Sequence, residues 1–313
     1  MPQSRIIIFM MQLTAKQLLH VDFTHRRSFS RLCSEMVMRH YIKILRIYDR
    51  IFKWSDILNI LFFADICGRS GREAVFDRIY DLREEYNADV CIANGENAAG
   101  GFGLSRDTAY DLSRAGVDVF TMGNHVYSKK EIINLFDEYN IIRPYNLPKG
   151  DPGQGYFIFT AKNGEKLAVI NLLGRLYMDL PVSNPFFAID EVLEEIKGKA
   201  EHVVLDFHAE ATSEKKAMGY YLDGRVSAVF GTHTHVQTAD ECILPNKTAY
   251  MTDVGMCGAL HSVLGAKKEI AISRFTSAVY SRFEGAEGER RVNAVFIKTN
   301  KDGRAEEIVR INK

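Results

Sequence analysis

From residue 58 onward, short apolar runs alternate with segments whose apolar residues recur at helical spacing. Runs typical of strands cover residues 58–64, 88–93, 117–122, 167–172, 202–206, 226–230 and 248–252, and most are followed by a helical pattern. Six or more such units in one continuous run predict an α/β fold with helices covering a central sheet system. In open α/β sheets, ligands bind beyond the carboxyl ends of the strands, so the loops that follow these runs are the place to look for a site.

Two serines carry the signal of a helix start. Ser105 precedes a helical segment, and Ser128 is followed three residues later by Glu131, which is the pattern of a capping box. We therefore predict that helices begin at both serines. Further helices are predicted from Thr212 and over residues 188–200 and 267–276, and a hairpin is predicted through Asp302 and Gly303.

Three histidines lie at or just past the ends of two predicted strands. His208 closes the run that begins near residue 202, and taken alone it fits a buried structural histidine as well as a metal ligand. His233 and His235 flank Thr234 directly after the next run. Because alternate side chains of an extended segment share one face, we predict that these two imidazoles bind metal together.

Three earlier loops carry oxygen ligands and one more histidine. Asp65 ends the first run, Glu96 and Asn97 follow the second, and Asn124 and His125 follow the third. Taken singly, Asp65 could equally be a helix cap, and capping is also the alternative for Asn124, although a functional role is favoured there. Imidazole, carboxylate and amide oxygens that converge at strand ends are what a two-metal hydrolytic centre needs.

Composition narrows the class of partner. The chain has 313 residues, 46% of them hydrophobic and 26% charged, and its formal net charge is zero. Because the chain has no net positive charge to attract a polyanion, we expect a small phosphodiester as substrate in preference to a long nucleic acid, which remains the alternative. The five cysteines are scattered and form no CxxC pair, so we expect a reducing, cytoplasmic location. Cys67 and Cys257 are interpreted as packing residues, and no apolar run reaches the roughly 18 residues of a membrane span.

Residues 1–57 differ from the rest of the chain. They hold ten lysines and arginines against four acidic residues, and the confident strand pattern begins only at Leu58. We expect residues 1–57 to be a basic extension outside the catalytic domain, which we place at 58–313. Our hypothesis is that natural translation begins at Leu58; a membrane-surface helix or an organellar targeting segment is the alternative.

Several motifs together resemble the YmdB-like metallophosphoesterases, members of the calcineurin-type superfamily. The resemblance covers 58–313 and rests on the runs DICGRSGR, NGENAAGGFGL, GNH, RPYNLP, DFHAEATSEKKAMGYYLDGRVSAVFGTHTHVQTAD and TAYMTDVGM. It departs from the family pattern after Asn124, His125 and Val126, where Tyr127 and Ser128 replace an expected Trp-Asp pair, and at Ser70, where proline is common. Because of Tyr127 and Ser128, the resemblance does not predict the shape of the entrance to the substrate site.

The resemblance implies a four-layer α/β/β/α sandwich with two mixed sheets and a centre of two divalent or trivalent metal ions, iron with manganese as the alternative. It implies that one ion is held by Asp65, Glu96, Asn97 and His235. The second would be held by Glu96, Asn124, His208 and His233, so that Glu96 bridges the two. His125 would be the proton donor. The family is described as cleaving cyclic nucleotide phosphodiesters, including 2′,3′-cyclic nucleotides, with a regulatory role in bacteria.

We therefore expect a phosphodiesterase that hydrolyses small, cyclic nucleotide phosphodiesters through a hydroxide bridging two metals. The alternatives are a metal-dependent phosphomonoesterase or nuclease on the same fold, and a regulatory protein that senses a nucleotide without turning it over. We also expect a homo-oligomer.

Overall fold

The structure, a computed structural model, describes residues 57–313, in which strands and helices alternate along the chain. The strands are β1 (Leu58–Phe63), β2 (Asp65–Ile66), β3 (Val90–Asn94), β4 (Val119–Thr121), β5 (Tyr156–Thr160), β6 (Lys166–Leu173), β7 (His202–His208), β8 (Ala228–Thr232), β9 (Cys242–Ile243), β10 (Ala249–Met251), β11 (Met256–Ala259), β12 (Arg290–Arg291), β13 (Asn293–Thr299) and β14 (Ala305–Asn312). The helices are α1 (Gly68–Glu85), α2 (Arg106–Ala115), α3 (Ile132–Leu135), α4 (Pro185–Glu195), α5 (Thr212–Tyr221) and α6 (Lys268–Thr276). The predictions for the basic extension fall on residues 1–56, which lie outside the described range.

The strands form two large mixed sheets and one small one. The first sheet has the order β14-β13-β1-β3-β4, with β1, β3 and β4 parallel and β13 antiparallel to β1. The second has the order β5-β6-β7-β8-β10-β9, with a parallel centre and antiparallel strands at both edges. The small sheet, β12-β11-β2, pairs the short strand at Asp65 with the chain after residue 256.

Three apolar cores separate four layers. The central core lies between the two large sheets and includes Phe62 of β1 and Phe230 of β8, whose ring centroids are 5.4 Å apart. A second core joins the first sheet to α1 and α2, and a third joins the second sheet to α4 and α5. Strand β1 contributes to the first two of these cores, which explains its unbroken apolar sequence. The expected α/β/β/α sandwich with two mixed sheets is confirmed.

The two predicted helix caps have different outcomes. Ser105 is the N-cap of α2 and forms a capping box with Thr108, whose hydroxyl accepts a hydrogen bond from the Ser105 backbone N–H at 2.9 Å. The predicted start at Ser128 is wrong. The chain there makes turns, and the following helix, α3, begins only at Ile132 with Glu131 as an N-cap that makes no side-chain bond.

The helices cover the sheets and remain amphipathic. The 18-residue helix α1 buries Val75, Ile79 and Leu82, while charged residues occupy much of its exposed side. Over residues 57–313, no helix has both the length and the apolar character needed to cross a membrane.

Candidate metal centre

The polar residues predicted at the strand ends meet where the two large sheets face each other. His208, at the end of β7, lies at the centre of the cluster and is fully buried. Its Nε2 atom is 3.1 Å from Glu96 Oε1, 3.0 Å from Asn124 Oδ1 and 3.0 Å from His233 Nδ1. The possible ligand atoms of Glu96, His208 and His233 all lie within 4.8 Å of one another. Residues that are more than a hundred positions apart in the chain thus form one cluster.

Asp65 and Asn97 extend the cluster on the side of the first sheet. Asp65 accepts a hydrogen bond from the backbone N–H of His233 through Oδ2, at 3.0 Å, but its buried Oδ1 has no hydrogen-bond donor. Asn97 donates from Nδ2 to the carbonyl of Gly101 at 2.9 Å, and its buried Oδ1 likewise has no partner. A buried oxygen without a donor is costly, and a bound cation would satisfy both oxygens.

The electrostatics of the cluster also favour added positive charge. Burial raises the pKa of Asp65 well above its usual value, and the neighbouring carboxylates of Glu96 and Asp253 raise it further, although His208 opposes this. Burial also opposes charge on Glu96 and His208, yet their contact outweighs it: the pKa of Glu96 falls to about 2 and that of His208 rises to about 9. The raised pKa values of Asp65 and His208 mean that the cluster retains protons, and a bound cation would supply positive charge in their place.

The two histidines after β8 present neutral rings. Burial and the nearby His208 lower the pKa of His233 to about 3. Burial likewise lowers the pKa of His235, whose Nδ1 lies 3.3 Å from the carbonyl of Leu264. Neutral imidazole is the form that binds a metal. Together with the donorless oxygens of Asp65 and Asn97, these rings fit the ligand set that the sequence predicted.

A chain of hydrogen bonds fixes the ring of His208. Thr232 donates its hydroxyl hydrogen to Asp206 at 2.6 Å, so its oxygen is free to accept from His208 Nδ1 at 2.9 Å. Asp206 is held in turn by Asn94 at 3.0 Å. With Nδ1 used as the donor, Nε2 points at Glu96 and Asn124, which is how outer residues commonly orient a metal-binding histidine. Sequence reasoning missed Asp206, although it lies two residues before His208 on the same face of β7.

The segment of His233 and His235 is predicted from the sequence to be extended, and the structure shows that it is not. Strand β8 ends at Thr232, and both histidines adopt left-handed backbone angles, with φ of 99° and 62°. Such angles are costly for residues other than glycine, on the order of 1–3 kcal/mol each, and mark functional sites where surrounding contacts enforce them. The two rings therefore reach the same cavity through a strained turn and not through strand alternation.

Asp253 holds this strained turn in place. It accepts hydrogen bonds at Oδ2 from the Thr234 backbone N–H at 3.2 Å and from the Thr234 hydroxyl at 2.7 Å. The same oxygen is 2.7 Å from Nζ of Lys215, in an ion pair whose side chains are almost fully buried. Sequence reasoning did not find this pair, because nothing in the pattern distinguishes Lys215 from its exposed neighbour Lys216.

The buried pair gives a stability prediction. Replacing Lys215 with methionine should lower the free energy of unfolding by about 3 kcal/mol, because it leaves the carboxylate of Asp253 buried without its counter-charge. The matched control is Lys216→Met, which removes a half-exposed lysine paired with Asp240 at 3.1 Å and should cost less than about 1 kcal/mol. Urea denaturation of the two variants measures both values. Equal losses would show that the pair does not hold the turn.

Gly123 allows the close approach of Glu96 and His208. A Cβ atom at this position would overlap both the carboxylate of Glu96 and the imidazole of His208. Only glycine therefore lets the loop after β4 pass close enough for Asn124 to reach the cluster. The sequence showed the Gly-Asn-His pattern but not this steric reason for it.

A cavity of about 300 Å³ opens onto the cluster. His125 lines it, with its backbone N–H donating to Glu96 Oε2 at 3.1 Å and its ring 4.9 Å from the ring of Phe102. Glu210 also lines the cavity and lies 3.2 Å from His233 Nε2. The structure thus brings all eight predicted residues to one place: Asp65, Glu96, Asn97, Asn124, His125, His208, His233 and His235.

Cys67 lines the cavity, and Cys257 is buried nearby. Burial, with Asp65 and Glu96 nearby, raises the pKa of Cys67 to about 12, so its thiol stays protonated at neutral pH. Cys257 is fully buried and its pKa is also about 12, because burial opposes the thiolate. Tyr127 donates its hydroxyl hydrogen to the Pro152 carbonyl at 2.7 Å, outside the residues that line the cavity.

A family model described as "YmdB-like protein" matches residues 61–311. This chain belongs to the YmdB-like family. The resemblance inferred from the motifs is thereby confirmed, and the match begins three residues after the predicted domain start.

Relatives of this YmdB-like chain span most of its length. The 2′,3′-cyclic-nucleotide 2′-phosphodiesterase of Bacillus subtilis is 46% identical over 241 residues, which cover 77% of this chain and 90% of that protein. The crystal structure of a hypothetical protein from Thermus thermophilus has a TM-score of 0.77 at 42% identity and covers 82% of this chain and 99% of the other. A phosphatase from Mycoplasma pneumoniae also has a TM-score of 0.77, at 35% identity, over 82% of this chain and 93% of that one.

Proposed function

We propose that this YmdB-like protein is a metal-dependent phosphodiesterase that hydrolyses small, cyclic nucleotides. Its relatives are named phosphodiesterase and phosphatase, so it is a hydrolase of phosphoesters. Metal dependence is supported by the imidazole, carboxylate and amide groups that converge around His208. It is also supported by the buried Oδ1 atoms of Asp65 and Asn97, which have no hydrogen-bond donor.

Two cations would be held by residues from both sheets. We assign Asp65, Glu96, Asn97 and His235 to one ion and Glu96, Asn124, His208 and His233 to the other, with Glu96 shared. When bound, such ions polarise a phosphate and lower the pKa of water, which supplies hydroxide at neutral pH. The mixed nitrogen and oxygen donors suit iron or manganese. Asn97 and Asn124 contribute neutral oxygens, which limits the negative charge that an anionic phosphodiester meets.

We assign the role of general acid to His125. Its ring lines the cavity beside the ligand cluster, and its backbone N–H is anchored to Glu96 at 3.1 Å. During hydrolysis, water oxygen bonds to phosphorus and the bond to one ester oxygen breaks. The leaving oxygen develops negative charge, and His125 donates a proton to it, so that a cyclic diester opens to a monoester. A positioned acid of this kind contributes roughly 100- to 10,000-fold to the rate.

The dimensions of the cavity favour a small substrate. Its volume of about 300 Å³ lies at the lower end of the range for small-molecule sites. The chain has no net charge to attract a polyanion. A single nucleotide fits both observations better than a long nucleic acid does.

A substrate panel tests the proposal. The full chain, purified without chelators and analysed for its metals, would be given 2′,3′-cyclic AMP, adenosine 3′-monophosphate and a short RNA. We expect kcat/KM for the cyclic diester to exceed that for the monoester by about 100-fold, because one site is matched to one transition state. Faster hydrolysis of the monoester or of RNA would overturn the proposal in favour of a phosphomonoesterase or a nuclease. Metal-dependent binding without turnover would indicate a nucleotide sensor.

Three other expectations stay predictions: a cytoplasmic location, a homo-oligomeric assembly and a catalytic domain that begins at residue 58.

A further inference from the structure

The cavity is lined by two chemically different sets of residues. One set comprises the ligand cluster and His125, and the other is apolar and comprises Phe102, Phe283 and Leu264. Phe102 and Phe283 come from distant parts of the chain, the glycine-rich loop after β3 and the segment between α6 and β12. A pocket in which aromatic rings border a polar ligand cluster fits a molecule that combines a phosphate with a flat ring.

The two phenylalanines form one surface. Their ring centroids are 5.3 Å apart with the planes tilted by 66°, an edge-to-face arrangement. Phe102 is 41% exposed although it has two aromatic neighbours. Its second neighbour is the ring of His125 at 4.9 Å, so the aromatic surface borders the proposed acid.

Contacts on both sides position the two phenylalanines beside the cavity. Gly101 has a φ of 96°, and a Cβ atom there would lie 2.7 Å from the ring of Phe283, so the glycine allows the ring to rest on the loop. The loop is closed by hydrogen bonds from Gly101 N to Asn97 O at 3.1 Å and from Ala99 N to Gly103 O at 2.9 Å. On the other side, the segment of Phe283 is tied by Arg274, which donates to the carbonyl of Ser281 at 2.8 Å.

We infer that Phe102 and Phe283 form a stacking surface for the nucleobase of the substrate, so that the enzyme selects nucleotides over phosphodiesters that lack a base. The inference rests on the proposed function for the identity of the substrate, but the surface itself would bind the base of any nucleotide whose phosphate lies at the ligand cluster. An aromatic face stacks on every base, so we expect little discrimination between purines and pyrimidines.

The test compares substrates that differ only in the base. They are 2′,3′-cyclic AMP and the 2,3-cyclic phosphate of 1-O-methylribose, which have the same reacting ring and leaving oxygen. We expect wild-type kcat/KM to favour the nucleotide by about tenfold, the effect of one base–aromatic stack. Phe283→Ala should lose most of this preference, because kcat/KM falls mainly for the nucleotide. Phe283 is the better position to change, because Phe102 also contacts His125.

Two further variants make the result specific. Phe275 lies in the same part of the chain, but its ring is 89% exposed and does not line the cavity, so Phe275→Ala should retain the preference for the nucleotide. Phe283→Trp retains an aromatic face and should also retain this preference. Equal use of both substrates by the wild type, or a Phe283→Ala variant that loses both activities equally, would overturn the inference while leaving the phosphodiesterase in place.

Calorimetry keeps the inference testable if neither substrate is hydrolysed, an outcome that would remove the proposed function. The metal-loaded full chain would be titrated with AMP and with ribose 5-phosphate. Stacking predicts that AMP binds about tenfold more tightly and that Phe283→Ala abolishes the difference. Equal affinities for the two ligands in the wild type would contradict the stacking surface directly.

Discussion

Replacing Glu96 with glutamine should remove bound metal and turnover together. The substitution keeps the shape of the side chain but takes away its charge and puts an amide N–H₂ where one carboxylate oxygen lay. Glu96 Oε1 is 3.1 Å from His208 Nε2, and Oε2 accepts the His125 backbone N–H at 3.1 Å, so neither oxygen is free to turn away from the cluster. Changing a residue that only hydrogen-bonds to a metal ligand typically lowers metal affinity about 10- to 100-fold. Losing the shared ligand itself should therefore lower metal affinity at least about 100-fold.

Elemental analysis and phosphodiesterase assays on the same samples measure the two losses. The control is Glu210→Gln, which removes the same charge from the same cavity but from a half-exposed carboxylate that reaches only the outer nitrogen of His233, at 3.2 Å. Because Glu210 lies behind His233, we expect this variant to lose no more than about 10- to 100-fold in metal affinity or activity, which is less than Glu96→Gln loses. If Glu96→Gln binds metal as the wild type does, Glu96 is not a shared ligand and the proposed centre is wrong.

The place of the site could be predicted from the sequence because it follows from a general property of parallel sheets. The carboxyl ends of neighbouring parallel strands lie at one edge, so polar residues that follow apolar runs must come close together. Within one sheet this brings Glu96 near Asn124, because they follow the parallel strands β3 and β4. Within the other it brings His208 near His233, at the ends of β7 and β8. Glu96 and His208, which are 112 positions apart, meet only because the two sheets pack face to face, which the strand pattern alone does not give. The alternation of strands and helices predicted an α/β fold, and the resemblance to the family supplied the four-layer sandwich with two mixed sheets.

The residues that support the site could not be predicted, because their roles arise only from tertiary contacts. Lys215 and Lys216 are neighbours on α5, yet one is 1% exposed and pairs with Asp253, and the other is half exposed. The left-handed angle of His233 is enforced by hydrogen bonds to Asp65 and by those that Asp253 makes to the next residue, none of which the local pattern contains. The predicted cap at Ser128 failed because a capping pattern does not ensure that a helix follows.

Replacing His125 with alanine should separate catalysis from metal binding. The ring of His125 lines the cavity next to Phe102, while its link to Glu96 runs through the backbone N–H, which alanine retains. The variant should therefore keep its metal and lose about 100- to 10,000-fold in kcat for 2′,3′-cyclic AMP, whose leaving ribose oxygen needs a proton. Bis(p-nitrophenyl) phosphate should suffer much less, because p-nitrophenolate is a stable anion and leaves without protonation.

The two substrates measured on one preparation make this prediction strict. A role in general acid catalysis requires that the loss of activity depend on the leaving group, since only a poor leaving group draws on the donated proton. A structural role would lower both rates equally, and a ligand role would lower metal content as Glu96→Gln does. Equal losses on the two substrates would therefore remove His125 as the acid even if the variant were nearly inactive, and a loss confined to the ribose oxygen would place the proton transfer at this ring.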